Sequence, residues 1–235
     1  MKVCEDHDFT LSVPQFEKER DQLLAILMQT DPLQLQKDYR CSQKIFDEIY
    51  AVMRREYEGL PVPAGPAILS YEGIAFRYMA PSVFSEDEWA YINAHLRIVS
   101  GLYGLLRPLD AVQPYRLEMG QKKPVDLYAF WKGRIAKAIA DPVVVCLASR
   151  EYAKAVAPYL PLIQVRFFEE DETGKRSEKG VYAKMARGAM IRWMAENAVE
   201  DPADLAGFDQ LGYVYDAAAS AADCYVFARK ADAHA

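Results

Sequence analysis

The chain has 235 residues, of which 51% are hydrophobic and 26% are charged, and its formal net charge is −6. This composition is typical of a globular protein, and no apolar run approaches the ~20 residues that a membrane helix requires. The acidic balance argues against a protein that coats nucleic acid through a uniformly basic surface.

The first hundred residues favour helices, with one short strand between them. Apolar stripes with helical spacing run through residues 16–28 and 45–53, and Gly59 closes the second. Residues 67–69 predict a strand. Ser85 and Glu88 then form a capping box, so a helix is predicted to begin there and to continue through Leu96 and Val99 toward Ser100.

The second half alternates between helices and strands. Asp126 caps a predicted helix over residues 127–139, and residues 143–147 read as a buried strand. Further strands are predicted at 163–167, 213–215 and 225–227, with a helix over 184–197. The pattern predicts one mixed α/β (α+β) domain over residues 1–235, in which helices flank a mixed sheet.

A glycine hairpin with nearby cations is the first candidate for function. Gly101, Tyr103 and Gly104 follow the predicted helix at once, and Arg97, Arg107 and Arg116 surround them. Glycines between two helices expose backbone N–H groups to a phosphate, as in helix-hairpin-helix motifs. A plain helix C-cap explains the same glycines equally well.

Two helix starts are the other candidates for anion binding. Ser149 lies where a predicted strand passes into a helix, a place that attracts anions but also suits a simple N-cap serine. Lys184 and Arg187 lie on one face in the first turns of their helix, where the helix dipole disfavours each cation by ~0.3–1 kcal/mol. An internal carboxylate such as Glu118, or a bound anion, would offset both.

Recognised catalytic and metal motifs are not found in the sequence. There is no G-x-x-x-x-G-K-[ST], G-x-G-x-x-G or H-E-x-x-H, and His7, His95 and His234 are too scattered to predict a metal site. No cofactor is therefore predicted. The four cysteines lie far apart without a C-x-x-C pair, which favours reduced thiols and the cytoplasm.

Several long motifs together resemble one family, the YaaA family of bacterial peroxide-stress proteins. The motifs are ILSYEGIAF, MAPSVFSEDE, HLRIVSGLYGLLRPLD, QPYRLEMG, the LAS-x-EY that ends at Tyr152, and the VYAKMARG that contains Tyr182. The resemblance implies a compact cytoplasmic α/β protein that limits the iron available for oxidative damage by hydrogen peroxide. It also implies duplex DNA binding through a helix-hairpin-helix and a basic cleft lined by Arg97, Arg107, Arg116, Lys184 and Arg187.

Two departures from the family pattern accompany this resemblance. The family opens with a strand leading into Ser-Pro-Ala-Lys, which would precede Met1, so this chain is expected to be shortened at its N-terminus. The family's Ser-Ser pair before the last strand stands here as Ser220-Ala221. If the lysine or the serine belongs to the working site, activity is expected to be reduced.

Three functions remain open from the sequence. One is a DNA-associated stress protein whose partner is double-stranded DNA. The second is an enzyme for a small anionic substrate, held by Arg116, Glu118, Lys184 and Arg187, with Glu118 or Tyr115 transferring protons. The blandest is an iron-responsive or partner-binding protein with no chemistry of its own, although the sequence shows no clear set of iron ligands.

Overall fold

The computed structural model describes residues 1–5 and 7–231, so His234 lies outside the described residues. Its α-helices are Glu17–Gln29 (α1), Pro32–Tyr39 (α2), Gln43–Tyr57 (α3), Ala67–Ser70 (α4), Ile74–Met79 (α5), Glu86–His95 (α6), Leu127–Trp131 (α7), Arg134–Ala138 (α8), Arg150–Ala153 (α9) and Gly180–Glu196 (α10). Short 3₁₀ helices cover Pro81–Val83, Pro202–Gly207 and Gln210–Gly212. The strands are Gly65–Pro66 (β1), Ile98–Ser100 (β2), Gly104–Leu106 (β3), Ala111–Val112 (β4), Val145–Cys146 (β5), Ile163–Glu170 (β6), Arg176–Ser177 (β7), Val214–Tyr215 (β8) and Cys224–Lys230 (β9).

The chain folds into two compact units. The first comprises Met1–Glu72, His95–Ala140 and Arg150–Leu160, and the second comprises Gly73–Ala94, Asp141–Ser149 and the chain from Pro161 onward. The mixed α/β class is confirmed. The assignment of residues 1–235 to one domain stays a prediction.

The second unit is built on a mixed sheet of order β5-β6-β9-β8, with β7 paired to β6. β6 runs parallel to β5 and β9, whereas β7 and β8 are antiparallel to their neighbours. Along β6, Val165, Phe167 and Glu169 alternate as buried residues, as the sequence pattern predicts. This face packs against the buried Ala186 and Met190 of α10.

Close backbone contact also holds α10 against α5 within this second unit. An added Cβ at Gly188 would lie 2.0 Å from the carbonyl oxygen of Ala75, so this position admits glycine alone. The glycine of the VYAKMARG motif therefore has a packing reason.

The first unit contains α1, α2 and α3 and two small antiparallel sheets, β1-β4 and β2-β3. Its core includes Leu23, Leu27, Leu35, Met53 and Trp131. The strand predicted at residues 67–69 is instead the short helix α4, whose Ser70 hydroxyl donates to the carbonyl oxygen of Pro66 at 2.9 Å.

The helix-hairpin-helix prediction is wrong at residues 96–106. The capping box does start α6, since the Ser85 N–H donates to Glu88 at 2.6 Å and Glu88 N–H donates back to Ser85 at 3.3 Å. However, α6 ends at His95, and β2 and β3 form an antiparallel hairpin in which Ser100 faces Gly104. The β-branched Ile98 and Val99 favour a strand, and Gly104 has a φ of 71° that closes the turn.

Candidate functional site

The glycine hairpin lies in the interior of the first unit. All seven residues from Ser100 to Leu106 are buried. An added Cβ at Gly101 would lie 2.2 Å from the carbonyl oxygen of Leu117, and one at Gly104 would lie 2.7 Å from the Trp131 ring. Close packing therefore accounts for both glycines, and Tyr103 is buried with them.

Tyr115 is the centre of a buried hydroxyl chain. Its Oη lies 2.7 Å from Oγ of Ser100 and 2.8 Å from Oη of Tyr71. Ser100 in turn accepts the N–H of Tyr103 at 2.9 Å. Burial raises the pKa of Tyr71 and of Tyr115 well above that of a free phenol, so both remain protonated at neutral pH.

Tyr152 belongs to the same unit, and its pKa is likewise raised above that of a free phenol. Burial is the main cause that raises its pKa, and the nearby Tyr115, Glu151 and Glu118 raise it further. The neighbouring Glu151 accepts the N–H of Gly120 at 2.7 Å, which ties α9 to the QPYRLEMG segment.

Three of the four arginines predicted for a cleft lie in the first unit, and each has a local partner. Arg107 pairs with the buried Asp110 at 3.0 Å, and Arg97 donates to the carbonyl oxygen of Leu96 at 2.8 Å. Arg116 donates to Glu118 at 3.0 Å and to the carbonyl oxygen of Tyr39 at 3.2 Å. Arg107 and Arg116 are thus offset by carboxylates of the same unit.

The second unit holds the remaining predicted residues. Ser149 is half-buried between β5 and α9, and Lys184 is exposed on α10. Arg187 is only 8% exposed, and its Nη2 donates to Glu178 at 2.9 Å. The internal carboxylate that offsets Arg187 is therefore Glu178, and not Glu118 as the sequence suggested. Since Arg116 belongs to the other unit, a common cleft for all five cations stays a prediction.

An exposed basic segment lies in the first unit. The sequence points to Lys122 and Lys123 as part of a basic stretch, but Lys132, Arg134 and Lys137 were not predicted to belong to it. Residues 121–140 hold five cations and one acid, Asp126, in a chain whose net charge is −6. All five cations, which we call the basic surface, are exposed: Lys122, Lys123, Lys132, Arg134 and Lys137. A count of charge over this segment would have included the last three.

The local fold explains how these cations are presented. The single helix predicted over 127–139 is interrupted at Lys132, whose φ is 46°, so that α7 and α8 are separate. Trp131 and Ile135 are fully buried on either side of this turn. Arg134 and Lys137, three residues apart on α8, lie on one face of that helix, and the Arg134 guanidinium also donates to the carbonyl oxygen of Phe130.

The described residues contain neither a cluster of metal ligands nor a membrane-spanning helix. No three His, Cys, Asp or Glu side chains there are grouped as a metal site would need. None of the described helices is long and apolar enough to span a bilayer.

Comparison with known proteins supplies the family. A family model described as peroxide stress protein YaaA matches residues 2–219. A UPF0246 protein of Agathobacter rectalis is 38% identical over 98% of this chain and 95% of its own length. Similar UPF0246 proteins of Lactiplantibacillus plantarum (40%, covering 97% and 94%) and Pediococcus pentosaceus (38%, covering 97% and 93%) match equally broadly. The chain belongs to the family of the peroxide stress protein YaaA.

Proposed function

We propose that this peroxide-stress protein acts in the cytoplasm by binding duplex DNA through its basic surface, and that this binding limits iron-dependent damage. The supporting observation is the exposure of five cations against one acid in residues 121–140. The carboxylate of that acid, Asp126, is used to cap α7, where it accepts the N–H of Ala129 at 3.2 Å.

The geometry favours phosphate contacts without sequence readout. The described cations extend from short helices and turns, and α7 and α8 have five residues each, too short to read the bases of a major groove. Lysine and arginine side chains on such a surface neutralise backbone phosphates and release condensed counterions. We therefore expect binding that is sequence-tolerant and strongly weakened by salt.

Counterion release also connects DNA binding to peroxide and iron. Fe²⁺ associated with DNA phosphates is one of the cations that bound protein displaces. Peroxide reacts with Fe²⁺ to give Fe³⁺, hydroxide and a hydroxyl radical, and that radical attacks whatever lies beside the iron. Displacing iron from the phosphates moves radical formation away from the DNA, which lowers strand breakage.

The second function considered from the sequence, an enzyme for a small anionic substrate, lacks a suitable proton-transfer group among the residues named for it. Burial raises the pKa of Tyr115 well above its usual value, which makes this phenol a weak acid at neutral pH. Glu118 is 60% exposed and paired with Arg116. We therefore propose no catalytic step.

The test combines a binding and a damage measurement. Salt-dependent binding to a short duplex is compared between the unmodified protein and the triple variant K132Q/R134Q/K137Q. The slope of log affinity against log salt is expected to flatten by up to about 2.7, or about 0.9 for each lost phosphate contact. The same proteins are then added to supercoiled plasmid with Fe²⁺ and peroxide, and the rate of nicking is measured.

The matched control is K18Q/K37Q/K44Q, which removes three exposed cations from α1, α2 and α3 of the same unit. This control should retain both the salt slope and the protection from nicking. An absence of duplex binding at low salt would refute the DNA proposal. Binding without protection would refute the link to iron.

A further inference from the structure

The start of α10 in the second unit presents hydrogen-bond donors that no side chain caps. The N–H groups of the first turn of a helix have no partner inside the helix. At α10 no side chain caps them, and the first turn contains no acidic residue. Lys184 and Arg187 instead place cations near this positive end of the helix dipole, whereas the Lys179 ammonium pairs with the buried Glu169 at 3.4 Å.

Arg187 gives the first indication of a missing partner. Side chains on a helix lean toward its N-terminus, and the Arg187 guanidinium reaches back to Glu178, two residues before α10 begins. Arg166 of β6 contacts the other oxygen of this carboxylate at 3.4 Å. The Nε–H of Arg187 is buried and has no hydrogen-bond partner among the described residues.

Tyr213 gives a second, independent indication. The Arg229 guanidinium lies 4.6 Å from the ring centre of Tyr182 in the first turn of α10 and 5.0 Å from that of Tyr213. Tyr213 is therefore located beside the helix start. It is 1% exposed, and its hydroxyl has no partner among the described residues. Burial raises the pKa of Tyr213 to about 12, so the hydroxyl keeps its proton.

The chemistry of these groups defines what they would bind. An arginine N–H, backbone N–H groups and an ammonium are donors only, and the protonated phenol is available as another donor. A buried donor without an acceptor is costly, so the complementary ligand is rich in acceptors and negatively charged. Because Arg187 is only 8% exposed, the phosphodiester of a duplex does not reach it.

We propose that the start of α10 binds a small tetrahedral oxyanion, either inorganic phosphate or the terminal phosphate of a small molecule. Lys184 and the first-turn N–H groups hold its outer oxygens, and Arg187 and Tyr213 hold the inner side. In the absence of the ligand the Arg187 guanidinium donates to the Glu178 carboxylate. The oxyanion competes with this carboxylate for the guanidinium. The proposal is independent of DNA binding by the basic surface, which belongs to the other unit.

The test measures phosphate binding by calorimetry and by the melting temperature of the full-length protein. We expect inorganic phosphate to bind and to raise the melting temperature. K184Q should weaken binding at least about tenfold, as expected when one charge-assisted hydrogen bond is lost. E178Q should strengthen it by a similar factor, because the competing carboxylate is gone. K175Q, which neutralises an exposed lysine in the β6-β7 turn, is the matched control and should bind as the unmodified protein does.

Two comparison ligands identify the source of the oxyanion. Glycerol phosphate binding as tightly as inorganic phosphate indicates a terminal phosphate, and preference for inorganic phosphate indicates the free ion. No response to phosphate, or equal affinities in K184Q, E178Q and K175Q, would overturn the proposal. So would a short duplex that binds with the same sensitivity to K184Q and E178Q. The substitutions K184Q, E178Q and K175Q leave the basic surface of the first unit unchanged. Failure of phosphate binding can therefore be distinguished from failure of DNA binding.

Discussion

The indole Nε1 of Trp131 donates a hydrogen bond to the carbonyl oxygen of Gly101 at 2.9 Å. The same ring lies against Gly104 at the other end of the turn, and Phe16 packs edge-on against it with ring centroids 5.4 Å apart. One side chain therefore satisfies the buried carbonyl of the hairpin and sets the size limit at its second glycine. The glycine hairpin, which the sequence suggested as a phosphate-binding element, is instead packed against the buried Trp131 side chain.

This packing predicts the cost of a methyl group at Gly104. Gly104 and Gly59 have nearly equal φ values of 71° and 72°, but an added Cβ at Gly59 meets nothing within 4 Å. Both G104A and G59A bear the left-handed backbone cost of about 1–2 kcal/mol. G104A should lose roughly 1–3 kcal/mol more because its methyl group overlaps the Trp131 ring. Urea denaturation of the two variants measures the difference, and equal free energies of unfolding would contradict this account.

Arg107 is expected to matter for stability and not for DNA. Asp110 is 1% exposed and accepts the Ser12 hydroxyl at 2.6 Å and the Arg107 N–H at 2.8 Å, in addition to its ion pair with the Arg107 guanidinium. R107A leaves this buried carboxylate with fewer donors, so the free energy of unfolding should fall by about 1–3 kcal/mol. Duplex affinity should equal that of K44A, a control with the same change in net charge. A variant of unchanged stability with weakened duplex binding would restore Arg107 to the DNA-binding residues.

Local patterns in the sequence predicted local structure well. The Ser85–Glu88 capping box and the alternation along β6 depend on residues a few positions apart, and both are confirmed. The prediction that α6 continues beyond His95 was wrong, because the spacing of Leu96 and Val99 also fits a helical apolar stripe. The pairing of β2 with β3 and the Trp131 ring that fixes the turn are non-local, so the apolar pattern alone does not reveal them.

Charge patterns were harder to interpret than apolar ones. The cations at the start of α10 did indicate a local need for negative charge, and Glu178 meets part of it only nine residues from Arg187. Sequence spacing did not distinguish Glu178 from Glu118, because the choice depends on how the chain enters the helix. Lys132, Arg134 and Lys137 were not assigned to the basic surface because an apolar stripe suggested one continuous helix where the chain turns at Lys132.

An exposed ion-pair cluster on the second unit predicts a dependence on pH. Arg176 contacts Glu170 at 3.1 Å and Asp216 at 2.6 Å, and hydrogen bonds from Lys230 and Arg176 lower the pKa of Glu170 below its usual value. The Arg176 hydrogen bond likewise lowers the pKa of Asp216. Lowered folded pKa values mean that the unfolded chain takes up protons first on acidification. The stabilisation is therefore complete above the ordinary carboxyl pKa values of about 4 and is lost as pH falls through the lowered values.

The variant R176Q isolates this contribution. Its free energy of unfolding should fall less steeply than that of the unmodified protein between about pH 5 and pH 2. The difference should shrink in high salt because the cluster is exposed to solvent. K44Q, at an exposed position on α3 of the first unit, should follow the unmodified protein. Parallel pH profiles for R176Q and the unmodified protein would show that these ion pairs do not stabilise the fold.

The four cysteine thiols are expected to react with peroxide in an order that follows their burial. Cys146 of β5 is 8% exposed, whereas Cys4, Cys41 and Cys224 are half-buried. Burial raises the pKa of the Cys146 thiol, although the Ala148 N–H and the Arg187 charge partly oppose this effect. The thiolate is the form that peroxide oxidises and alkylating reagents attack, so Cys146 should react last among the four. Mass spectrometry of peptides after timed peroxide or maleimide treatment gives the order, and urea-unfolded protein, in which all four should react at similar rates, is the control. Early oxidation of Cys146 in the folded protein would show that its thiol is exposed in solution and would contradict the burial on which the prediction depends.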